Sequence, residues 1–574
     1  MKVLKEYKMI FLAGLAVVLF FGLAYFVMDN VGSKQKFTYG EHLFQEGVVS
    51  EINIEIDEVD WQDLLENPLA EEYYRADVTI NGELMGNVAI RTKGNTSLSS
   101  VANSDSDRYS FKLDFDYYDD NGNYHGLRKL CLNNTYADNS YMREYICYKI
   151  MDDMGLPVPR CAYSHITVNG EEWGLYLAVE AVDEVFLQTN FEDATGDLYK
   201  PEGMGGTGAD LVYRGDDIAE YTGLHLKTNL ETSDGSEIIA LMKALETGEG
   251  LEEVLDVENA LKYLAANVAL ANFDSYLGGT THNYYIYEEN GVFSMIPWDL
   301  NLAFGGFGGS EVDIYEPGGG FGGKRGGKMG ERVEKTQEEG TQQMPNFGGE
   351  MPAMGEMPDF GGGMPSFGGS GGKPLVDTLL ADAELLAMYE GYLQEMTETY
   401  LTEEYMAAMV TEIHDLIAPY VKQDATAFYT YEEFEQGCSV DPEDHYSLVY
   451  YAVNMAESIR NQLAGGEPTF DTSSLQGGGM FKGGGMPSFG GRKDADKGRD
   501  EKTPDFGGEM PDFGGKRPSF GEGQGDRGGM PFPGGERQKQ VNIQEVLPTM
   551  AVCGSIFLGG LIFAVVYKRK NKMK

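Results

Sequence analysis

The chain has 574 residues, of which 76 are glycine, and it carries a formal net charge of −48. This acidity excludes nucleic acid as a partner, because phosphate binding requires clustered lysine and arginine, and it indicates solubility and self-repulsion first. The five cysteines form no C-x-x-C pair, which argues against a zinc site and predicts buried free thiols rather than a disulfide framework.

Apolar runs lie near both ends of the chain. The first, residues 9–28, follows Lys2, Lys5 and Lys8 and has the length of about 20 residues that crosses a bilayer as a helix. A cleaved signal peptide is the alternative, although its apolar core is usually shorter. The second run, residues 546–567, precedes a basic C-terminus. Because basic residues flank both runs on their terminal sides, we predict two transmembrane helices, cytoplasmic termini and an extracytoplasmic main domain in the cell membrane.

Between the runs, residues 37–304 have the pattern of a globular domain. Short apolar or alternating segments, separated by turn dipeptides, predict strands in its first half. Helical periodicity predicts helices at 140–154, 236–247 and 257–272. A final strand pair turns at Asn290-Gly291. Strands first and helices later predict an α+β fold.

Two glycine-rich tracts, 305–373 and 466–544, follow this block. Both are built on a degenerate Met-Pro-x-Phe-Gly-Gly repeat, and such chain buries too little apolar surface to offset its ordering entropy. We therefore predict that both are disordered, acting either as flexible tethers or as repeated binding or modification sites. Helical periodicity at 374–465 predicts the C-terminal part of the same domain.

Three polar residues surround the final strand pair. Asp274 follows a helix rich in alanine and leucine, Asn283 begins the first strand, and Asp299 follows the second. This set suits phosphoryl transfer, in which one carboxylate orients the hydroxyl nucleophile while an amide and a second carboxylate hold a divalent metal. Residues of these types beside turns are more often structural caps, so spacing alone leaves both interpretations open.

Seven segments, in this order along the chain, resemble motifs of the CotH family of atypical protein kinases. They are RTKGNTS at 91–97, SFKLDFD at 110–116, MREYICYKIMDDMGLPVP at 142–159, NGEEWGLYLAVEAVDEVFL at 169–187, GDLYKPEG at 196–203, NFDSY with HNYYIY at 272–287, and PWDLN at 297–301. The resemblance covers roughly residues 50–305. It implies a divergent protein-kinase-like fold that phosphorylates protein serine or threonine with ATP and Mg²⁺ or Mn²⁺.

The resemblance also implies roles for individual residues. It makes Asp274 the catalytic aspartate, and it makes Asp299 and Asn283 the metal ligands. Lys112, on a strand, becomes the candidate phosphate-binding lysine. From the order of the elements we expect Glu144, on the following helix, to pair with it, as the corresponding lysine and glutamate do in protein kinases.

Further residues are candidates for nucleotide binding, each with a simpler alternative. Arg91 and Lys93 lie in a loop that either covers the phosphates or is an ordinary turn. Lys200 either reaches phosphate or is solvated, the second being favoured. Glu180 is placed either for a hinge contact to adenine or on an exposed strand. Asn301 stands where many family members have aspartate, which removes support for a metal role there.

The repeats also suggest a substrate. Their variable position is serine at Ser366, Ser488 and Ser519 and is aspartate or asparagine elsewhere. Because aspartate partly resembles phosphoserine in charge, the chain's own repeats are a candidate acceptor. The alternative function is a cell-surface or coat-assembly structural or adhesion module that keeps a kinase-like fold without turnover, an alternative favoured by the difficulty of supplying ATP outside the membrane.

Overall fold

The computed structural model describes residues 37–202, 207–307, 311–317 and 372–475. Their mixed strands and helices confirm the predicted α+β class. In this described part of the chain, no helix combines the length and the apolar character that crossing a membrane requires. The predicted spans near the two ends of the chain lie outside the described residues.

Strands in the first half of the domain form a closed barrel in the order β1-β2-β3-β4-β5-β7-β6. They are β1 (Ser50–Ile56), β2 (Tyr74–Ile80), β3 (Glu83–Lys93), β4 (Ser110–Asp114), β5 (Lys129–Asn133), β6 (Cys161–Val168) and β7 (Glu171–Glu180). The parallel pair β1–β6 closes the barrel, and the other neighbouring pairs are antiparallel. Alternate residues such as Ile52 and Ile54 are buried inside it, as the two-residue period of a strand requires.

A second, four-stranded sheet has the order β11-β10-β8-β9. Its strands are β8 (Leu198–Pro201), β9 (Leu224–Leu226), β10 (Tyr284–Glu289) and β11 (Val292–Pro297). The predicted turn between β10 and β11 is present, with φ of 55° at Asn290 and 87° at Gly291. Positive φ at both central residues is the geometry that favours Asn-Gly in a two-residue hairpin.

Helices surround the two sheets and fill the second half of the domain. They are α1 (Tyr39–His42), α2 (Glu58–Glu66), α3 (Thr96–Ala102), α4 (Arg143–Asp153), α5 (Glu184–Asn190), α6 (Ser236–Thr247), α7 (Val257–Ala269), α8 (Pro374–Leu379), α9 (Ala383–Glu395), α10 (Glu403–Val421), α11 (Tyr431–Gly437) and α12 (Leu448–Leu463). Helix α7 is buried along almost its whole length, which is typical of a helix that packs on all sides. Asp256 caps its N-terminus by accepting a hydrogen bond from Asn259 N at 3.0 Å.

A buried ion pair joins the C-terminal helices to the barrel. Arg108, which precedes β4, and Asp424, which follows α10, have side chains with 0% exposure and approach to 2.8 Å. Arg108 Nε also donates to Asn134 O at 3.1 Å, and Leu175 N donates to Asp424 Oδ2 at 2.9 Å. The helices after residue 372 therefore pack with the barrel as part of one body.

Both tracts that we predicted to be disordered contain residues that pack into the domain core. Within the first, Val312 and Ile314 are buried in the core, and Ile314 N donates to Gln462 Oε1 at 3.0 Å. Within the second, Phe470 and Thr472 are buried. Composition placed the starts of these tracts too early because short segments without glycine, at 310–317 and 467–475, contribute residues to the core. The rest of both tracts, with the three repeat serines, lies outside the described residues.

The cysteines of the described residues are free. The predicted burial is confirmed for Cys131, Cys147 and Cys438, while Cys161 is half-buried. Burial raises the pKa of the Cys147 thiol well above its usual range. A thiol of this kind is a structural apolar residue rather than a reactive nucleophile.

Candidate active site

The open end of the β10–β11 hairpin positions two of the predicted site residues. Tyr284 pairs with Pro297, so Asn283 immediately before β10 and Asp299 shortly after β11 flank the same end. Both have left-handed backbone conformations, with φ of 55° and 56°. Asparagine and aspartate tolerate this region better than most side chains, and such conformations concentrate at functional sites.

Asp274 lies in the loop after α7, and internal hydrogen bonds fix that loop. Asn272 Nδ2 donates to Asn267 Oδ1 at 2.8 Å, and Ser275 Oγ donates to Asn272 O at 2.6 Å. Asp274 is 7% exposed. Its Oδ2 accepts a hydrogen bond from Asn283 Nδ2 at 3.0 Å. The structure therefore brings together the predicted catalytic aspartate and one predicted metal ligand.

His282 is a site residue that sequence reasoning missed. Its Nε2 lies 2.5 Å from Asp274 Oδ1. Burial alone would lower the pKa of His282, but the carboxylates of Asp274 and Asp299 outweigh burial and raise it. The histidines showed no metal-ligand spacing in the sequence, so none was assigned a role. The available signal was the position of His282 directly before Asn283.

Asp299 is half-buried against α4, where its backbone N donates to the Tyr148 hydroxyl at 3.1 Å. Burial raises the pKa of Asp299; the negative charge of Asp274 acts in the same direction, while Lys93 and His282 oppose it. Two neighbouring carboxylates in a partly desolvated site favour an additional cation. The donor set fits a hard divalent ion, because carboxylate and amide oxygens are its preferred ligands.

Protein side chains supply only part of such a metal site. Among the described residues, no group of three or more His, Cys, Asp and Glu side chains is arranged to hold a metal. Magnesium is commonly held by one or two carboxylates together with water and substrate phosphates. Asp299 and the amide oxygen of Asn283 are therefore the residues that would hold it, with the remaining positions left to phosphate and water.

A hydrogen-bonded chain links the barrel to α4 beside Asp299. Lys93 Nζ donates to Asn133 Oδ1 at 2.7 Å, and Asn133 Nδ2 donates to the two carboxylate oxygens of Glu144 at 3.1 and 2.9 Å. Burial raises the pKa of Glu144 to about 7, and the charge of Asp299 adds to the effect, whereas Asn133 and Lys93 counteract it. The lysine connected to Glu144 is thus Lys93, and the expected pairing with Lys112 was wrong.

Lys112 lies on the same outer face of the barrel as Arg91. The register pairs Lys112 with Arg91 on β3 and with Cys131 on β5, while its neighbour Phe111 points into the barrel core. Burial lowers the pKa of Lys112. Arg91 is held by an ion pair with Glu71 and donates to the carbonyl of Thr92 at 2.8 Å. The predicted nucleotide-binding cations therefore form one face.

Two aromatic rings connect this face to the second sheet. Lys93 Nζ lies 5.9 Å from the ring centre of Trp298, and Lys200 Nζ lies 5.8 Å from that of Tyr285. The two rings meet edge to face at 5.6 Å. Lys200 also forms a 2.6 Å ion pair with Glu202. Lys200 thus borders the site instead of being simply solvated.

Two other predicted positions have structural roles. Glu180 is 1% exposed, so the interpretation as an exposed strand residue was wrong. Its carboxylate accepts hydrogen bonds from the Tyr39 hydroxyl and from Arg160 N, the latter at 3.1 Å, and burial raises its pKa to about 7. The Glu180 carboxylate is therefore engaged in structural contacts, which does not support the predicted hinge contact to adenine. Asn301 Nδ2 donates to Tyr136 O at 3.1 Å.

Comparison with known proteins identifies the family of this chain. A family model described as CotH kinase protein matches residues 90–446. Inner spore coat protein H of Bacillus subtilis (strain 168) is 23% identical over 363 residues, which cover 59% of this chain and 80% of that protein. Inner spore coat protein H-like protein of the same organism is 40% identical over 55 residues, which cover 10% of this chain and 18% of that protein. Because the family match covers more than half of the chain, the resemblance is confirmed, and the chain belongs to the CotH kinase protein family.

Proposed function

We propose that this chain is a protein kinase that transfers the γ-phosphate of ATP to serine or threonine, with Mg²⁺ or Mn²⁺. The observation that supports it most is the meeting of Asp274, Asn283 and Asp299 at one end of a hairpin. The link from Lys93 through Asn133 to Glu144 lies close to Asp299, whose charge raises the pKa of Glu144. A structural cap explains one Asx residue beside a turn, but it does not explain the contact between Asp274 and Asn283 with a third residue, Asp299, close enough for its pKa to respond to Asp274 and to Lys93.

The proposed reaction assigns a role to each side chain. The substrate hydroxyl oxygen forms a bond to the γ-phosphorus, the bond from that phosphorus to the bridging oxygen breaks, and ADP leaves. Asp274 orients the hydroxyl and accepts its proton. Although both of its oxygens accept hydrogen bonds already, each has a second lone pair. Lys93 and Lys112 bind phosphate oxygens, and a divalent ion held by Asp299 and Asn283 supplies charge neutralisation.

Labelled phosphate transfer tests this proposal. The full-length chain is incubated with radiolabelled ATP, Mg²⁺ or Mn²⁺, and casein as a general acceptor. We expect transfer by the wild type, and a loss of about 100-fold or more in Asp274→Ala and Asp299→Ala. Asp415→Ala, at an exposed position on α10, is the matched control and should keep full activity. If the wild type transfers label neither to itself nor to casein, the kinase proposal is refuted.

If no transfer is found, the change in melting temperature on adding ATP and metal distinguishes between the non-catalytic alternatives. A ligand that binds only the native state raises its stability. Stabilisation by ATP with metal but no transfer would favour a non-catalytic module that keeps a nucleotide site. No stabilisation and no transfer would favour a cell-surface or coat-assembly structural or adhesion protein.

We propose an extracytoplasmic location for the main domain. Support comes from the two apolar runs and their flanking lysines and arginines. The relative named inner spore coat protein H makes a coat-associated role a reasonable proposal for this chain as well. Protease accessibility of residues 37–475 in intact cells, compared with that in lysed cells, tests the orientation.

For the acceptor, we propose the chain's own repeats, with Ser366 first. Lys373 Nζ donates to the carbonyls of Tyr276 and Gly278 at 2.6 and 2.5 Å, in the same loop as Asp274. Ser366 precedes Lys373 by seven residues, and seven extended residues span at most about 25 Å. We propose that this length, together with the contact of Lys373 two residues beyond Asp274, brings Ser366 within reach of Asp274. Mass spectrometry of natively expressed protein, beside Asp274→Ala, should find phosphate on the repeat serines in the wild type alone.

A further inference from the structure

We propose that His282 is a positioning residue that fixes the orientation of the Asp274 carboxylate for phosphoryl transfer, and that it acts together with Asn283. This inference rests on the proposed kinase function. The two neighbours in sequence hold opposite oxygens of one side chain: His282 Nε2 lies 2.5 Å from Oδ1, and Asn283 Nδ2 lies 3.0 Å from Oδ2.

The backbone before β10 makes this double contact possible. In an extended strand, consecutive side chains point to opposite faces, so two neighbours do not reach the same group. Thr281 and Asn283 have left-handed conformations, with φ of 48° and 55°. These turns on either side of His282 break the alternation and bring both side chains to Asp274. Backbone strain of this kind persists where surrounding contacts maintain it.

Hydrogen bonds to both carboxylate oxygens fix the orientation of Asp274, and a fixed orientation is needed to accept a hydrogen bond from the substrate hydroxyl. The torsion about the Cβ–Cγ bond of aspartate is broad, so an unrestrained carboxylate samples many orientations. The contact from Asn283 alone leaves Oδ1 unrestrained. Small misplacements of a catalytic group cost much of its rate.

The contact does not depend on the charge of the histidine. A neutral imidazole with its hydrogen on Nε2 and an imidazolium both donate from this nitrogen. Glutamine keeps an N–H donor on an uncharged side chain and leucine keeps only apolar bulk, so the two substitutions separate orientation by a donor from general packing.

Steady-state kinetics of the full-length chain test the proposal. We expect His282→Leu to lower kcat by about 10- to 100-fold with the KM for ATP unchanged, and we expect His282→Gln to recover most of the loss. In an Asp274→Ala background, His282→Leu should cause no further loss. His445→Leu, at an exposed histidine, is the matched control. Full activity in His282→Leu, or equal losses in the leucine and glutamine variants, would overturn the proposal.

A second measurement, which does not depend on kinase activity, tests the contact between His282 and Asp274 separately from the kinase proposal. Thermal unfolding of wild type, Asp274→Asn, His282→Leu and the double variant forms a double-mutant cycle that requires no activity. We expect the two substitutions to be coupled. A wild type without transfer but with coupling refutes the kinase proposal and leaves the contact established. Transfer by the wild type without coupling refutes the positioning role.

Discussion

The ion pair between Arg108 and Asp424 gives the sharpest test of how the domain is held together. Replacing Asp424 with alanine leaves a fully buried guanidinium without its carboxylate. It also removes the acceptor of Leu175 N and of Thr426 N, which donate to Asp424 at 2.9 and 3.0 Å. Breaking one side of a buried pair costs about 3–5 kcal/mol. Because a domain is stable by only about 5–15 kcal/mol, we expect a large loss.

Chemical denaturation followed by far-UV circular dichroism measures this loss. The matched control is Glu46→Ala, which breaks the exposed 3.0 Å pair with Lys149 and should change the free energy of unfolding by less than about 1 kcal/mol. The double variant Arg108→Met/Asp424→Leu should be less destabilised than Asp424→Ala, because no unpaired charge remains buried. A loss below about 1 kcal/mol in Asp424→Ala would refute the reasoning that this pair joins the C-terminal helices to the barrel.

Three further predictions follow from the contacts of single side chains. The pKa of Glu180 rises from 4.5 to about 7 on folding, so its contribution to stability is greatest below pH 4.5 and falls up to pH 7. The free energy of unfolding of Glu180→Gln should therefore fall less than that of the wild type over this range; parallel profiles would contradict the assignment. Lys93→Met should weaken ATP binding more than Lys112→Met in thermal-shift titrations, since Lys93 is connected to Glu144; the reverse order would make Lys112 the main phosphate-binding lysine. Lys373→Met should lower both the melting temperature and the rate of phosphate transfer, because it leaves the carbonyls of Tyr276 and Gly278 without their donor; unchanged values of both would show that this contact does not support the loop.

The placement of Asn283 and Asp299 at the same end of the hairpin was predictable because its cause is local. Both lie at the ends of one hairpin, and the Asn290-Gly291 dipeptide predicts the turn that brings them together. Asp274 is only a short loop away from Asn283. Spacing alone did not distinguish a phosphoryl-transfer site from structural caps, and the resemblance of the ordered motifs to the CotH family favoured the first. Local turn chemistry was sufficient to predict where these residues lie, while the roles that motif order gives them remain predictions.

The partner of Glu144 was not predictable in the same way. It depends on how far β3 runs, on where β5 ends and on which face α4 presents, and these are non-local relations among three elements. Lys93 and Lys112 are both strand lysines, so residue type did not separate them. The Arg108–Asp424 pair spans 316 positions along the chain, and no periodic pattern predicts such a contact. Sequence patterns specify faces, while registers and packing decide which residues on those faces meet.

The region matched by the family model, residues 90–446, does not by itself complete the site. The barrel that carries Lys93 closes only through β1, which pairs with both β2 and β6, and without it two strand edges would be unpaired. At the other end, Tyr451 in α12 donates its hydroxyl to Ala269 O at 2.8 Å, at the last residue of α7. That contact fixes the start of the loop that carries Asp274. The positions of the proposed phosphate-binding lysine and of the proposed catalytic aspartate therefore depend on elements outside the region that the family model matches. Motif resemblance nominates these residues, while β1 and α12 help to position them.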